Sequence, residues 1–125
     1  MDVTPLISKG RQLIESYGGG AFQIGGQKYV GGVLVFPERT LPWVVEVGED
    51  GGLGTFAPVT ESDPPTELLL FGSGDGGKNV PPEIQRALRA AGVVTECMDT
   101  GAACRTFNVL LAEGRRVAAA LMPIT

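Results

Sequence analysis

Apolar side chains recur along the 125 residues with two different periods, one in each half of the chain. In "AFQIGGQKYVGGVLVFP", residues 21–37, Phe22 and Ile24 alternate with less apolar neighbours and Gly25-Gly26 supplies a two-residue turn. Tyr29 and the apolar run 33–36 resume beyond it, which is a hairpin pattern. "LPWVVEV", residues 41–47, reads as another β segment rich in branched side chains, closed by "GEDGG". "ESDPPTE", 61–67, reads as a linker or turn.

From Glu67 the pattern changes. "ELLLF" is a short unbroken apolar run of the kind shown by a parallel strand covered on both faces. In "PPEIQRALRAAG", Ile84, Ala87, Leu88 and Ala91 fall at i, i+3, i+4 and i+7 ahead of a glycine, which predicts a helix starting near Pro81. "VVTECM" predicts a strand, "DTGAACRTFNVLLAEG" a helix capped by Asp99 or Thr100 and ended by Gly114, and "RVAAALMPI" a last strand. Strands alternating with helices imply a mostly parallel layer. The expected fold is α/β, one domain over residues 1–125, with a β-rich N-terminal half followed by strand-helix-strand-helix-strand.

Composition narrows the chemistry. With 43% hydrophobic residues the chain can bury one core, and its 19 glycines, about twice the usual ~7% share, cluster at segment ends and so serve turns. The net charge of -4 is uneven: residues 1–65 carry eight acids against four bases, and residues 66–125 six of each. Without clustered Lys and Arg there is no nucleic-acid footprint. The longest apolar run, 117–122, is far below the ~20 residues that span a bilayer, so no membrane insertion is expected, and the start of the chain lacks a basic and apolar leader. A cytoplasmic location is the default. Cys97 and Cys104, spaced C-x6-C, match no zinc knuckle and read as reduced core fillers. The absence of histidine removes Ser-His and Cys-His pairs and imidazole metal sites together, so neither a metal nor a cofactor is expected.

One motif raises a nucleotide question. In "ELLLFGSGDGGKNVPPE", Gly72, Gly74 and Gly77 fit G-x-G-x-x-G, and Gly72 through Lys78 fits G-x-x-x-x-G-K-[ST] except that Asn79 replaces the hydroxyl residue. A true phosphate loop runs straight into its helix, whereas here two prolines place the helix start beyond the lysine. Specific ATP or NAD binding is therefore not expected. What survives is a loop of amides beyond the end of a parallel strand, where α/β sheets bind ligands. The second strand-to-helix passage, "MDTGAACRTFN", should reach the same sheet edge. There Asp99 reads first as an N-cap, Thr100 as a helix-start hydrogen bond and Arg105 as a solvated or ion-paired side chain; the alternative is a polar pocket of Asp99 and Arg105 beside Ser73 and Asp75.

Together, "LLLFGSGDGGKNVPPEIQRAL", "GVVTECMDTGAACRTFNVLLAEGRRVAAAL" and "YGGGAFQIGGQKYVGGVLVFP" with Trp43 resemble a family of small bacterial and archaeal proteins whose mitochondrial member is an assembly factor for respiratory complex I. The resemblance covers nearly the whole chain. It implies a compact α/β domain with no established catalytic activity. By position, the family's signature falls on Gly72, Gly74, Asp99, Thr100, Ala102, Ala103, Thr106 and Asn108; Ser73 stands where Thr is common and Phe107 where Tyr is frequent. The resulting expectation is a non-enzymatic factor that binds a protein partner during assembly of a membrane-associated, respiratory-type complex. The alternative is an enzyme or a small-ligand or anion binder using a pocket between residues 72–79 and 98–108, lined by Gly72, Ser73, Gly74, Asp75, Lys78, Asp99, Thr100, Arg105, Thr106 and Asn108.

Overall fold

A computed structural model describes residues 11–43, 53–77 and 79–125. Residues 44–52, which hold most of the expected β segment after Trp43, and Lys78 lie outside the described residues.

Three short strands, β1 (Ile14–Gly18), β2 (Ala21–Ile24) and β3 (Gln27–Val30), form an antiparallel meander. Its second turn is Gly25-Gly26, with φ of 56° and 83°, a left-handed pair that only glycine adopts at low cost. The hairpin pattern does not continue into residues 33–36. β4 (Val33–Val35) instead joins a second sheet, where it pairs antiparallel with β5 (Thr40–Pro42). The reason lies at Gly31-Gly32: Gly31 has φ of 88°, and a Cβ on Gly32 would sit 2.8 Å from the Trp43 carbonyl oxygen. The chain thus turns sharply and passes against Trp43 as it leaves one sheet for the other.

The second sheet adds β6 (Leu68–Gly72), β7 (Val94–Met98) and β8 (Val117–Leu121), in the order β5-β4-β8-β6-β7. β6 is parallel to both β7 and β8, and β4 is antiparallel to β8, so four of the five strands run in one direction. All five residues of β8 are buried, and they alternate between the two faces of the sheet. Val117, Ala119 and Leu121 pack with Leu70, with Phe22 and Ile24 of the meander, and with Phe107 and Leu111 of the helix α3 (Thr100–Ala112). Ala118 and Ala120 pack on the other face with Leu69, Phe71, Trp43 and the helix α2 (Pro82–Ala90).

This is the α/β arrangement expected, with a β-rich first half and a strand-helix-strand-helix-strand second half. Two details differ. α2 opens at Pro82, one residue later than expected, with Pro81 as its extended N-cap at φ -57° and ψ 145°. Between Trp43 and β6 lie a 3-10 turn at Leu53–Phe56 and a single helical turn, α1 (Ala57–Thr60), where the sequence pattern predicted none.

Candidate functional site

Because β6 and β7 are parallel and in register from Leu68↔Val94 to Gly72↔Met98, the two strand-to-helix passages leave the sheet side by side. They are joined there by hydrogen bonds. The Ser73 amide donates to Met98 O at 2.9 Å, and the Gly74 amide donates to Thr100 Oγ1, also at 2.9 Å. Thr100, only 1% exposed, donates from its own hydroxyl to Met122 O at 2.7 Å, and the Met122 amide donates to Gly72 O at 3.0 Å. One threonine hydroxyl therefore links the ends of β6, α3 and β8.

The glycines are required by the closeness of this contact. A Cβ on Gly72 would lie 3.0 Å from Thr100 Cα and Oγ1, and one on Gly74, whose φ is 66°, would lie 2.8 Å from Met122 Cβ and 2.9 Å from Pro123 O. Residues 122–125 run on across the glycine turn, where the Thr125 amide donates to Asp75 Oδ2 at 3.0 Å and Ile124 O accepts from the Gly20 amide at 2.7 Å. The crevice beyond the strand ends, the usual ligand position in parallel sheets, is crossed by the protein's own backbone.

The remaining candidates look elsewhere. Asp99 caps α3, accepting from the Ala102 amide at 2.8 Å. Arg105 reaches toward the meander and donates from Nη1 to the Tyr17 hydroxyl at 3.0 Å. That hydroxyl lies 2.7 Å from the place of a Gly101 Cβ, so the side chain rests on the first turn of α3. Asn108 grips β1: its Oδ1 accepts from the Ile14 amide at 2.9 Å and its Nδ2 donates to Ile14 O at 2.8 Å, as a neighbouring strand would. Thr106 is half-buried on α3. The site thus gathers Gly72, Ser73, Gly74, Asp75 and Thr100, with Asp99 beside them, and turns Arg105 and Asn108 to β1. Tyr17 was missed from the sequence; its only signal was a lone aromatic ahead of a glycine run.

Electrostatics here disfavour phosphate. Gly77 is left-handed, with φ of 63°, and residues 78–81 separate it from α2, so the glycine turn does not run into a helix N-terminus. α2 itself starts on two prolines, one less amide at its first turn, and carries Glu83 there. At α3 the carboxylate of the N-cap, Asp99, already accepts from the Ala102 amide at the helix start. Cys104, buried under the same turn, has its thiol pushed up to about 12, chiefly by burial, with Arg105 opposing and Asp99 adding to the shift. Such a thiol is protonated at neutral pH and is a poor nucleophile. Among the described residues no group of three or more His, Cys, Asp or Glu side chains could hold a metal ion.

Residues 14–122, from the first meander strand to the tail that crosses the glycine turn, match the family model described as "Protein of unknown function (DUF498/DUF598)". The chain belongs to this family. An uncharacterized protein of Rhodobacter capsulatus is 40% identical over 111 residues, which are 89% of this chain and 84% of that one. The NADH dehydrogenase (ubiquinone) 1 alpha subcomplex assembly factor 3 of Xenopus tropicalis is 39% identical over 89% of this chain, which spans 61% of that protein's length. A crystal structure of an outer membrane protein from Bartonella henselae shares the fold with a TM-score of 0.78 at 34% identity, covering 94% of this chain and 98% of that one. Among the described residues no helix of this family member is long and apolar enough to cross a membrane.

Proposed function

We propose that the chain acts without catalysis, as a cytoplasmic binding protein that assists the assembly of a membrane-associated respiratory complex. The observation that carries this reading is the 39% identity over 89% of the chain to an NADH dehydrogenase assembly factor. The geometry supports it in two ways. The crevice at the strand ends is crossed by residues 122–125, and its central hydroxyl, on Thr100, is committed to backbone partners on both sides. The polar residues around it, Asp75, Asp99 and Arg105, are exposed and so accessible to another macromolecule.

The test is genetic and biochemical. Deleting the gene should lower the amount of mature NADH dehydrogenase on a native gel and leave smaller assemblies, and the wild-type chain should restore it. A variant with Arg105→Ala should restore less while keeping its melting temperature, since the Tyr17 contact is exposed and contributes little to stability. Unchanged levels of the mature complex in the deletion strain would refute the assembly role.

A further inference from the structure

The opposite end of the sheet holds a different kind of site. Ahead of β6 and β8, at their amino ends, an open cleft of about 470 Å³ is walled by Phe36, Glu38, Arg39, Asp63, Pro64 and Arg116. Its size lies within the ~300–1,000 Å³ of small-molecule sites. Ser62 also borders it, but its hydroxyl is already held by Val59 O and Thr66 Oγ1.

The cleft has more donors than acceptors. Glu38 serves two guanidinium groups at once, with Arg11 Nη1 at 3.5 Å and Arg116 Nη1 at 3.7 Å. Arg116 Nη2 donates to Pro64 O at 3.3 Å, and its Nε is buried with no acceptor among the described residues. Arg39 has no carboxylate within ion-pair distance among the described residues; its guanidinium lies 5.0 Å over the Phe36 ring. In the lining Arg39 and Arg116 balance Glu38 and Asp63, and Arg11, outside the lining, shares the Glu38 carboxylate.

We infer that this cleft is a binding site for a carboxylate carrying an apolar body, with Arg39 and Arg116 as the charged partners and Pro64, beside the small exposed part of Phe36, as the apolar wall. The Arg39 guanidinium, over the Phe36 ring and without a carboxylate partner among the described residues, keeps N–H donors for the two oxygens of a carboxylate. A carboxylate with an apolar body is selected over inorganic phosphate because only the former can remove apolar surface from water against Pro64 while its oxygens meet the arginines. The carboxylate can come from a small organic acid or from the end of a polypeptide; the recognising chemistry is shared.

The experiment follows the arginine Nε–H signals by NMR in the full 125-residue chain. Benzoate, its neutral counterpart benzamide and inorganic phosphate form one arm. Two short peptides ending in phenylalanine, one with a free carboxylate and one amidated, form the other. Benzoate should shift the Arg39 and Arg116 signals saturably with a Kd of about 1 mM, and R39Q should weaken it roughly tenfold at an unchanged melting temperature. R39Q is chosen because Arg116 also braces Pro64 and Glu38 and its loss would disturb the loop. A free-acid peptide that binds tighter than benzoate assigns the carboxylate to a polypeptide; a weaker one assigns it to a small organic acid. The inference is overturned if benzamide or phosphate does as well as benzoate, if R39Q binds like wild type, or if no saturation appears by about 10 mM.

Discussion

The two strand-to-helix passages, β6 to α2 and β7 to α3, share one grammar and differ in how the helix is held. β7 passes into α3 through Asp99 alone, whose side chain caps the helix, and α3 then buries Thr100, Gly101, Ala103, Cys104, Phe107 and Leu111. β6 reaches α2 only after residues 73–81; its N-cap is a proline with no capping side chain, and α2 buries only Ile84 and Leu88. α3 is clamped between the main sheet and the meander, whereas α2 lies on one face as an amphipathic cover. An amphipathic stripe is therefore the mark of the peripheral helix, and a helix of small and mixed residues can be the central one.

The largest effect should come from emptying the α3 interface. Phe107 is 0% exposed, and Phe107→Ala should cost about 3–5 kcal/mol, more than Leu88→Ala on α2, expected near 2–3 kcal/mol. Chemical denaturation of both variants measures this, and equal losses would abolish the distinction between the helices. Next comes Thr100→Val, which keeps the shape of the side chain but strands the Gly74 amide and the Met122 carbonyl; a loss of about 2–4 kcal/mol is expected. If denaturation shows a loss below about 1 kcal/mol, the threonine link is only one of several redundant contacts at the strand ends.

The same contrast explains which features the sequence disclosed. The 67–71 run, Ile84 and Leu88 of the helical stripe, and the Asp99 cap with Gly114 beyond the helix are local signals that appear where expected, whereas Ala91 of the same stripe is an exposed C-cap. β1 gave no such signal, because only Ile14 of its five residues is buried and its pairing depends on β2 and on the distant Asn108. Likewise, a glycine pair can continue a hairpin or end it; Gly31-Gly32 ends it because of Trp43, which no local pattern reveals. The candidate site was legible as a meeting of two loops. It was not legible that Thr100 would bond backbone on both sides or that residues 122–125 would cross the glycine turn, since both depend on β8 lying next to β6.

A smaller change separates capping from packing. Asp99→Ala removes the bond to the Ala102 amide while leaving the buried face of α3 untouched, so a loss of ~1 kcal/mol is expected in thermal or chemical unfolding. A loss near that of Phe107→Ala would mean that Asp99 supports the whole junction and not only the first turn. Asp99→Asn, which keeps an acceptor oxygen, should recover most of the stability.

The smallest effect is expected from nucleotides, and it bears directly on the β6 passage. A phosphate needs several amides converging at a helix start with no negative group nearby. Here the Ser73 and Gly74 amides are spent on Met98 O and Thr100 Oγ1, Asp75 stands at the turn, and Glu83 opens the first turn of α2 behind two prolines. The β7 passage is no better, because Asp99 already fills the position an anion would take. Calorimetric titration with Mg-ATP and with NAD should therefore show no saturable heat up to about 1 mM, and neither should raise the melting temperature. Saturable binding near 1 μM that Lys78→Ala abolishes would show that the glycine turn rearranges to free its amides. In that case the tail would have to move as well, since Gly74 and Asp75 cannot change position without breaking their contacts to residues 122–125.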